Sequence, residues 1–179
     1  MQQTPNLHTI LTYAREEAGR LGNPEIMPDH IMLGILRLSA GKAFELLMQA
    51  GMDPVEFKRN IDERLRQAES TQTQKLSRGS ERIIRLTGIE ARNYQAEVCG
   101  SVHLLMGILR DRINFPAMYL EQQHGIAYEC IERLYPKPDL LTQGELATEE
   151  TSQERQTTIH IFGSEMDKKK QKGKGDTPA

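Results

Sequence analysis

The chain has 179 residues, a formal net charge of −2 and two cysteines, which leaves room for one globular domain with a tail or for two small domains packed as a unit. Its longest apolar run is far shorter than the roughly 20 residues that cross a bilayer, and the N-terminus lacks the basic and then apolar pattern of a secretion signal. The small net charge excludes a global attraction to nucleic acid, and Cys99 and Cys130 lack zinc-site spacing, so we expect buried, unpaired thiols in a reducing, cytoplasmic compartment.

The first predicted helix begins at Thr4, whose hydroxyl can cap the helix just before a proline in the first turn. It ends near Gly22, because the following segment 23–28 holds two prolines and cannot continue a helix. Pro28 then starts a second helix. Residues 31–36 are too apolar for a surface element, so this second helix should be buried.

Glycines separate the next two predicted helices. Gly41 precedes the third helix, and Gly51 is placed to close it in the left-handed conformation. Asp53 is a capping residue, and Glu56 stands where a capping box needs a carboxylate. The fourth helix should therefore start at Asp53 and run toward Gln67.

An internal repeat organises the chain. Residues 29–37 return as 102–110 at an offset of 73 without a gap, and Glu17 falls on Glu90 at the same offset. This tandem duplication predicts that a second set of four helices copies the first, with Ser77 in the place of Thr4. The second set has its break at 100–101, a helix from Pro116 to Gly125 and a last helix from Ile126 to Leu134.

The predicted fold class is all-α, with two tandem four-helix repeats packed as one pseudo-twofold eight-helix domain. Repeat one should span 1–70 and repeat two 71–138, with the polar segment 69–74 as the connection. Residues 139–179 are polar and then basic, which predicts a flexible linker or tail. Within this tail, 158–162 alternates apolar and polar residues and is consistent with a strand or a short docking motif.

The matched histidines and the methionines are interpreted as core residues. His30 and His103 should each bond a loop carbonyl, because no further His or Cys has ligand spacing, and we predict no metal site. The methionines on apolar helix faces should fill the core, although exposed methionines could also support promiscuous binding. They are Met32, Met48, Met52, Met106 and Met118.

The repeat unit has Glu-Glu-Ala near the end of its first helix and a His before an apolar helix with Gly-Ile-Leu-Arg. It resembles the Clp N-terminal repeat, which is doubled at the front of ClpC and ClpA, the Hsp100 AAA+ unfoldases. The resemblance covers about residues 4–135. It implies a module that docks protein substrates and adaptors for the parent ATPase and, through it, a Clp peptidase, without nucleic-acid or membrane partners.

The end of the chain, 174–179, resembles the junction before the first ATPase domain of that family. We therefore expect a fragment of a longer unfoldase, with a free-standing repeat protein as the alternative. A phosphate-binding Gly-x-x-x-x-Gly-Lys-Ser/Thr loop is absent from the sequence. We expect no catalytic residues and no cofactor in this chain, since ATP would bind in the ATPase domains of the parent.

Some members of the family bind phosphorylated arginine at two equivalent sites, each with a helix-one hydroxyl and a helix-two carboxylate. The resemblance places Thr4 with Asp29 in repeat one and Ser77 with Val102 in repeat two. Asp29 keeps a carboxylate for the guanidinium, whereas Val102 offers none. Plain helix capping explains the hydroxyls equally well.

Two further classes of function stay open. A structural or regulatory element that controls assembly of the ATPase ring would not bind substrate. An enzyme acting alone has little support, because the sequence places no nucleophile, base and oxyanion donor together.

Overall fold

The computed structural model describes residues 1–68 and 75–138. The predicted linker at 69–74 and the predicted tail at 139–179, with its 158–162 motif, lie outside the described residues. The described part contains eight helices and two short strands. In chain order they are α1 (Pro5–Arg20), β1 (Glu25–Ile26), α2 (Pro28–Leu38), α3 (Lys42–Gln49), α4 (Pro54–Leu65), β2 (Lys75–Leu76), α5 (Arg78–Asn93), α6 (Ser101–Asp111), α7 (Phe115–His124) and α8 (Tyr128–Leu134).

The duplication is confirmed in the element boundaries. Helices α5 and α6 begin and end at the positions that the repeat offset assigns to them from α1 and α2, and α7 begins where the offset places it from α3. The last helices differ more, because α8 has 7 residues where α4 has 12. The all-α fold with two four-helix repeats is therefore the observed one. The predicted start of α2 at Pro28 and the predicted cap of α4 at Asp53 are also confirmed.

Local chemistry accounts for the helix ends. The Asp53 carboxylate accepts the backbone N–H groups of Val55 and Glu56, each at 3.1 Å, which satisfies donors that have no partner inside the helix. Gly51 and Gly125 have positive φ angles of 95° and 65° after α3 and α7, a conformation in which glycine carries no Cβ penalty. Gly51 and Gly125 therefore close α3 and α7, as the sequence predicted.

The second helix of each repeat lies at the centre of the molecule. Every residue from 28 to 36 in α2 and from 101 to 109 in α6 is buried. Helix α1 packs on α2 and α5 packs on α6, while α3 contacts α6 and α7 contacts α2. The two repeats therefore share one core, because the third helix of each repeat covers the central helix of the other.

Parallel strand pairs tie the repeats together at two places. Glu25 pairs with Lys75, and Ile26 pairs with Leu76. At the other place Gln3 bridges Cys99, and these two residues are the repeat counterparts of Leu76 and Ile26. Each repeat thus extends the segment before its first helix onto the loop before the central helix of the other repeat.

A buried carboxylate occupies the same place in each repeat. Glu17 forms ion pairs with Arg20 and Arg37. Its counterpart Glu90 is fully buried, and one of its carboxylate oxygens lies 2.5 Å from Arg110 Nη1. Tyr128 donates to Glu90 at 2.9 Å. These charge-assisted bonds offset the cost of burying the carboxylates.

Lys137 adds a second cation to the repeat-two network. Its Nζ lies 3.8 Å from the second carboxylate oxygen of Glu90 and donates to the Tyr128 hydroxyl. Burial disfavours the charged form of Lys137, but its hydrogen bonds to Tyr128 and Glu132 outweigh this and raise its pKa. The network holds the last described residues against α5 and α8.

Two expectations about core residues and one about a helix end need correction. Met118 is 44% exposed, because it lies on the outer face of α7, whereas Met32, Met52 and Met106 are buried as predicted. Cys99 is buried but Cys130 is only partly so, and both are free thiols. The fourth helix ends at Leu65, two residues before the predicted end.

Candidate functional site

The Thr4 hydroxyl lies at the start of the central helix of the other repeat. The Thr4 N–H donates to the Cys99 carbonyl at 2.9 Å. A Cβ added to Gly100 would lie 3.6 Å from Thr4 Cγ2. Thr4 is therefore beside the start of α6, the helix that carries Val102.

Ser77 occupies the equivalent place at the start of α2. Its N–H donates to the Ile26 carbonyl at 3.1 Å, and the Ser80 hydroxyl donates to the same carbonyl at 2.6 Å. A Cβ added to Gly79 would contact the Pro28 ring at 3.5 Å. Ser77 is therefore beside the helix start that carries Asp29.

The expected pairing of site residues inside each repeat is wrong. The structure brings Ser77 together with the α2 start of Asp29, and Thr4 together with the α6 start of Val102. The reason is that the segment before the first helix of each repeat pairs with the loop before the central helix of the other repeat. This exchange of strand segments places each capping hydroxyl beside the other repeat. Both hydroxyls do cap their own helices, since Thr4 accepts from Leu7 N–H at 3.2 Å and Ser77 accepts from Ser80 N–H at 3.1 Å.

Asp29 already has a cationic partner. Its carboxylate is almost completely buried and forms an ion pair with Arg64 of α4. The Arg64 guanidinium also stacks on Phe115 of α7, with its carbon 3.8 Å from the ring centroid. Burial raises the pKa of Asp29, and the Arg64 charge partly opposes that rise. An incoming guanidinium would have to displace Arg64 to reach this carboxylate.

Sequence reasoning missed Arg64, although the repeat offset carried a signal. Its counterpart in the second repeat is Lys137, so both repeats place a cation at this position. At the other helix start, Val102 is 5% exposed and supplies no carboxylate. The two helix starts are therefore chemically unequal.

Two grooves are lined by residues of both α1 and α5. The first, which we call the cationic groove, has a volume of about 320 Å³ and an apolar floor that includes Leu11, Ile26 and Ile84. Its rim carries Arg15 and Lys75. The floor and rim together can receive an apolar side chain and a negative charge.

The second, the neutral groove, has a volume of about 140 Å³. Leu11 and Ile84 line it as well, and these two residues are counterparts under the repeat offset. Cys99 stands where the cationic groove has Ile26, and Gly88 where it has Arg15. The grooves are therefore pseudo-symmetric copies that share a floor.

The two matched histidines hold helix starts. His30 Nδ1 accepts the Met27 N–H at 2.8 Å, and His103 Nδ1 accepts the Gly100 N–H at 2.8 Å. The predicted bond to a loop carbonyl is wrong for these nitrogens. His30 Nε2 lies 2.7 Å from Asn23 Oδ1 and donates to it, because Nδ1 is the acceptor. Burial lowers the pKa of His30 to about 4.

Residues 1–68 and 75–138 hold neither a metal-binding cluster nor a membrane-spanning helix. No group of three or more His, Cys, Asp or Glu side chains in these ranges could hold a metal ion. In the same ranges, every helix is too short or too polar to cross a bilayer.

Comparison with known families decides the assignment. Residues 2–123 match the family described as the Clp repeat (R) N-terminal domain. The chain belongs to this family. The match covers repeat one and most of repeat two, ending inside α7. It therefore includes both strand pairs, both helix starts and the shared floor residues of the two grooves.

Curated relatives are far longer than this Clp repeat chain. The negative regulator of genetic competence ClpC/MecB of Bacillus subtilis (strain 168) is 30% identical over 109 residues, which cover 60% of this chain and 14% of the relative. Chloroplastic chaperone protein ClpC of Pisum sativum is 25% identical over 173 residues, covering 93% of this chain and 18% of the relative. This chain spans less than a fifth of these relatives.

Solved structures share the fold. The Hsp104 N-terminal domain from Candida albicans has a TM-score of 0.61 and 16% identity, with 77% of this chain and 94% of that chain covered. A chain from work on the ATPase ClpV and the TssB–TssC sheath has a TM-score of 0.62 and 18% identity, covering 76% and 88%. The Clp repeat fold is thus kept at low sequence identity.

Proposed function

We propose that this Clp repeat domain is the substrate- and adaptor-docking N-terminal domain of a cytoplasmic, ClpC-like unfoldase. It would act by binding and use no cofactor of its own. ATP hydrolysis and the link to a Clp peptidase would belong to other parts of the parent protein. The observation that carries this proposal is the pair of grooves on a shared apolar floor, because apolar grooves with polar rims are typical binding sites for extended peptides.

The relatives support the proposal by name. They are chaperones and regulators of the ClpC and ClpB type, and the matched region is their N-terminal domain. The shared residues Leu11 and Ile84 are partly exposed at the floor, although both are apolar. Side chains of this kind gain free energy when a peptide covers them, at about 25 cal/mol per Å².

The test compares the parent unfoldase with a version that lacks residues 1–138. We measure degradation of fluorescein-labelled casein with the cognate peptidase, ATP hydrolysis, and ring assembly by light scattering. Docking predicts that degradation falls while ATP hydrolysis and assembly persist. Loss of assembly and ATP hydrolysis would instead support the regulatory alternative, and unchanged degradation would contradict docking.

A point variant separates the grooves from the rest of the domain. We expect Leu11→Gln to weaken casein degradation, because it places an amide on the floor of both grooves. Val55→Gln is a matched control, since Val55 is 75% exposed on α4. Equal activity of the two variants would argue against the grooves as the docking site.

Phosphoarginine binding is a second candidate, favoured by the position of Ser77 beside the helix start of Asp29. A hydroxyl and a carboxylate at one helix start match the two charges of phosphoarginine. Because Arg64 already forms an ion pair with the Asp29 carboxylate, we expect the natural chain to bind phosphoarginine weakly and the Arg64→Gln variant to bind it more tightly.

Calorimetric titration with free phosphoarginine tests this candidate, with arginine and phosphoserine as controls. Asp29→Asn should abolish any heat that Arg64→Gln gains. Saturable binding that persists in Asp29→Asn would show that the Asp29 carboxylate is not part of the binding site.

A further inference from the structure

The two grooves share Leu11 and Ile84 on their floors but have different rims. Helix α1 presents His8, Leu11, Thr12 and Arg15 at successive helical turns along the cationic groove. The repeat offset matches these positions to Glu81, Ile84, Arg85 and Gly88 on α5. The formal charge of this stripe is therefore +1 on α1 and zero on α5, with histidine counted as neutral.

The segments that precede α1 and α5 add to this difference in charge. Lys75 of β2 lines the cationic groove. Its counterpart before α1 is Gln2, which is uncharged. The cationic groove thus has two permanent positive charges on its rim, whereas the corresponding positions around the neutral groove are Gly88 and Gln2.

Arg15 and Lys75 form no ion pair with another residue of the described ranges. Arg15 and Lys75 are both exposed, and no carboxylate in the described ranges lies within ion-pair distance of either side chain. Glu25 is the register partner of Lys75 in the strand pair but does not line the groove. By contrast, Arg37 on the neighbouring helix is paired with Glu16. The rim of the cationic groove therefore keeps its charge for a ligand.

Resting on the docking function proposed above, we propose that the cationic groove selects extended peptide segments in which an apolar side chain stands beside an Asp or Glu. The apolar side chain would cover Leu11, Ile84 and Leu76, and the carboxylate would lie between Arg15 and Lys75. The volume of about 320 Å³ is at the low end for ligand sites and suits two or three peptide side chains rather than a folded domain. The neutral groove would bind apolar segments without this preference.

The occupant follows from charge complementarity. A carboxylate gains from two unpaired cations on the rim, whereas a basic segment is repelled by them. Exposed charge pairs are individually weak, so two contacts correspond to roughly a twofold to thirtyfold preference for the acidic peptide over its amide isostere.

The experiment measures fluorescence anisotropy of the full chain with labelled peptides. One peptide contains Leu-Asp and Leu-Glu steps in a Gly/Ser background, and its isostere contains Leu-Asn and Leu-Gln at the same places. We expect tighter binding of the acidic peptide at about 50 mM NaCl and loss of most of that preference at about 0.5 M NaCl, since salt screens exposed charges.

Variants assign the preference to the rim. The double variant Arg15→Gln/Lys75→Gln should bind both peptides equally, with the affinity for the amide peptide unchanged. Arg85→Gln is the matched control, because Arg85 is an exposed cation on α5 outside the residues that line the cationic groove. A preference that persists in the double variant, or that Arg85→Gln also removes, would overturn the proposal.

Failure of this proposal can be distinguished from failure of the docking function. Equal binding of both peptides, sensitive to Leu11→Gln, would contradict only the charge preference. Absence of binding by either peptide would contradict docking at the grooves as well.

Two other occupants have their own signatures. Self-association that the double variant removes would assign the groove to a second copy of this chain. Binding of the acidic peptide only after removal of residues 139–179 would assign it to the chain's own tail. Either result would overturn a partner peptide as the occupant.

Discussion

The first two helices of each repeat meet closely at a glycine of the second helix, and the two glycines should not tolerate alanine equally. A Cβ at Gly34 would overlap the Ile10 carbonyl oxygen well inside 3.0 Å, the limit that real Cβ atoms essentially never cross. A Cβ at the equivalent Gly107 would lie 2.9 Å from Thr87 Oγ1 and 3.1 Å from the Ile83 carbonyl oxygen. At Gly34 the obstacle is backbone, whereas at Gly107 the nearest atom is a hydroxyl on a side chain.

The magnitudes follow from which atoms can move. Alanine gains about 1 kcal/mol of helix propensity over glycine. Overpacking costs about 1–3 kcal/mol and sometimes more, and the backbone oxygen of Ile10 can yield only if α1 and α2 separate, which loses dispersion contacts along their interface. We therefore expect Gly34→Ala to destabilise the domain by about 1–3 kcal/mol. Gly107→Ala should change stability by less than about 1 kcal/mol, because the propensity gain offsets a smaller overlap.

Urea unfolding followed by circular dichroism in the far ultraviolet measures both variants. Gly88→Ala is the control for propensity alone, because the nearest atom to its added Cβ is the Met1 methyl at 4.0 Å. It should stabilise the domain by roughly 0.5–1 kcal/mol. A Gly34→Ala variant as stable as the natural chain, with an unchanged urea dependence, would refute the argument that backbone overlap controls this position.

Three further predictions concern buried groups. Glu90→Gln should destabilise the domain by about 1–3 kcal/mol in thermal or urea unfolding, because it weakens the charge-assisted bonds to Arg110 and Lys137, which are themselves partly exposed to water. In proton NMR, His30 should titrate near pH 4. Its folded pKa lies below the unfolded value of 6.5, so the unfolded chain takes up the proton first as the pH falls. The free energy of unfolding should therefore drop by about 2 kcal/mol between pH 7 and pH 5 from this group alone. Burial raises the pKa of Cys99 to about 11, so at pH 8 Cys130 should react with iodoacetamide first, and faster labelling of Cys99 would contradict its burial.

The helices could be predicted because their signals are local and occur twice. The repeat offset transferred the boundaries of α1 and α2 onto α5 and α6 without error. Proline at the first turn of α2 and the Asp53 cap are similarly short-range features. Helix α8 was placed two residues early, because Ile126 is apolar and buried although it lies in the loop before the helix.

The exchange between the repeats could not be predicted from the same signals. The spacing from Thr4 to Asp29 equals the spacing from Ser77 to Val102, and any symmetric pairing inside or across the repeats satisfies it. The choice depends on contacts between residues far apart in the sequence, such as Ser77 with Ile26, and local patterns carry no information about those. The ion pair between Arg64 and Asp29 could not be predicted for the same reason, since its partners are 35 residues apart on helices that are not consecutive in the chain.

Duplication explains why equivalent sites in this domain differ in chemistry. Both copies must keep the floor of Leu11 and Ile84, because each residue lines both grooves and a polar change at either one affects both. Rim positions such as Arg15 and Gly88 each belong to one groove, so a charge can change there without damage to the other. We therefore expect specificity to reside in the rims and general affinity in the floor. A floor variant should weaken acidic and neutral peptides by the same factor, whereas a rim variant should change only their ratio.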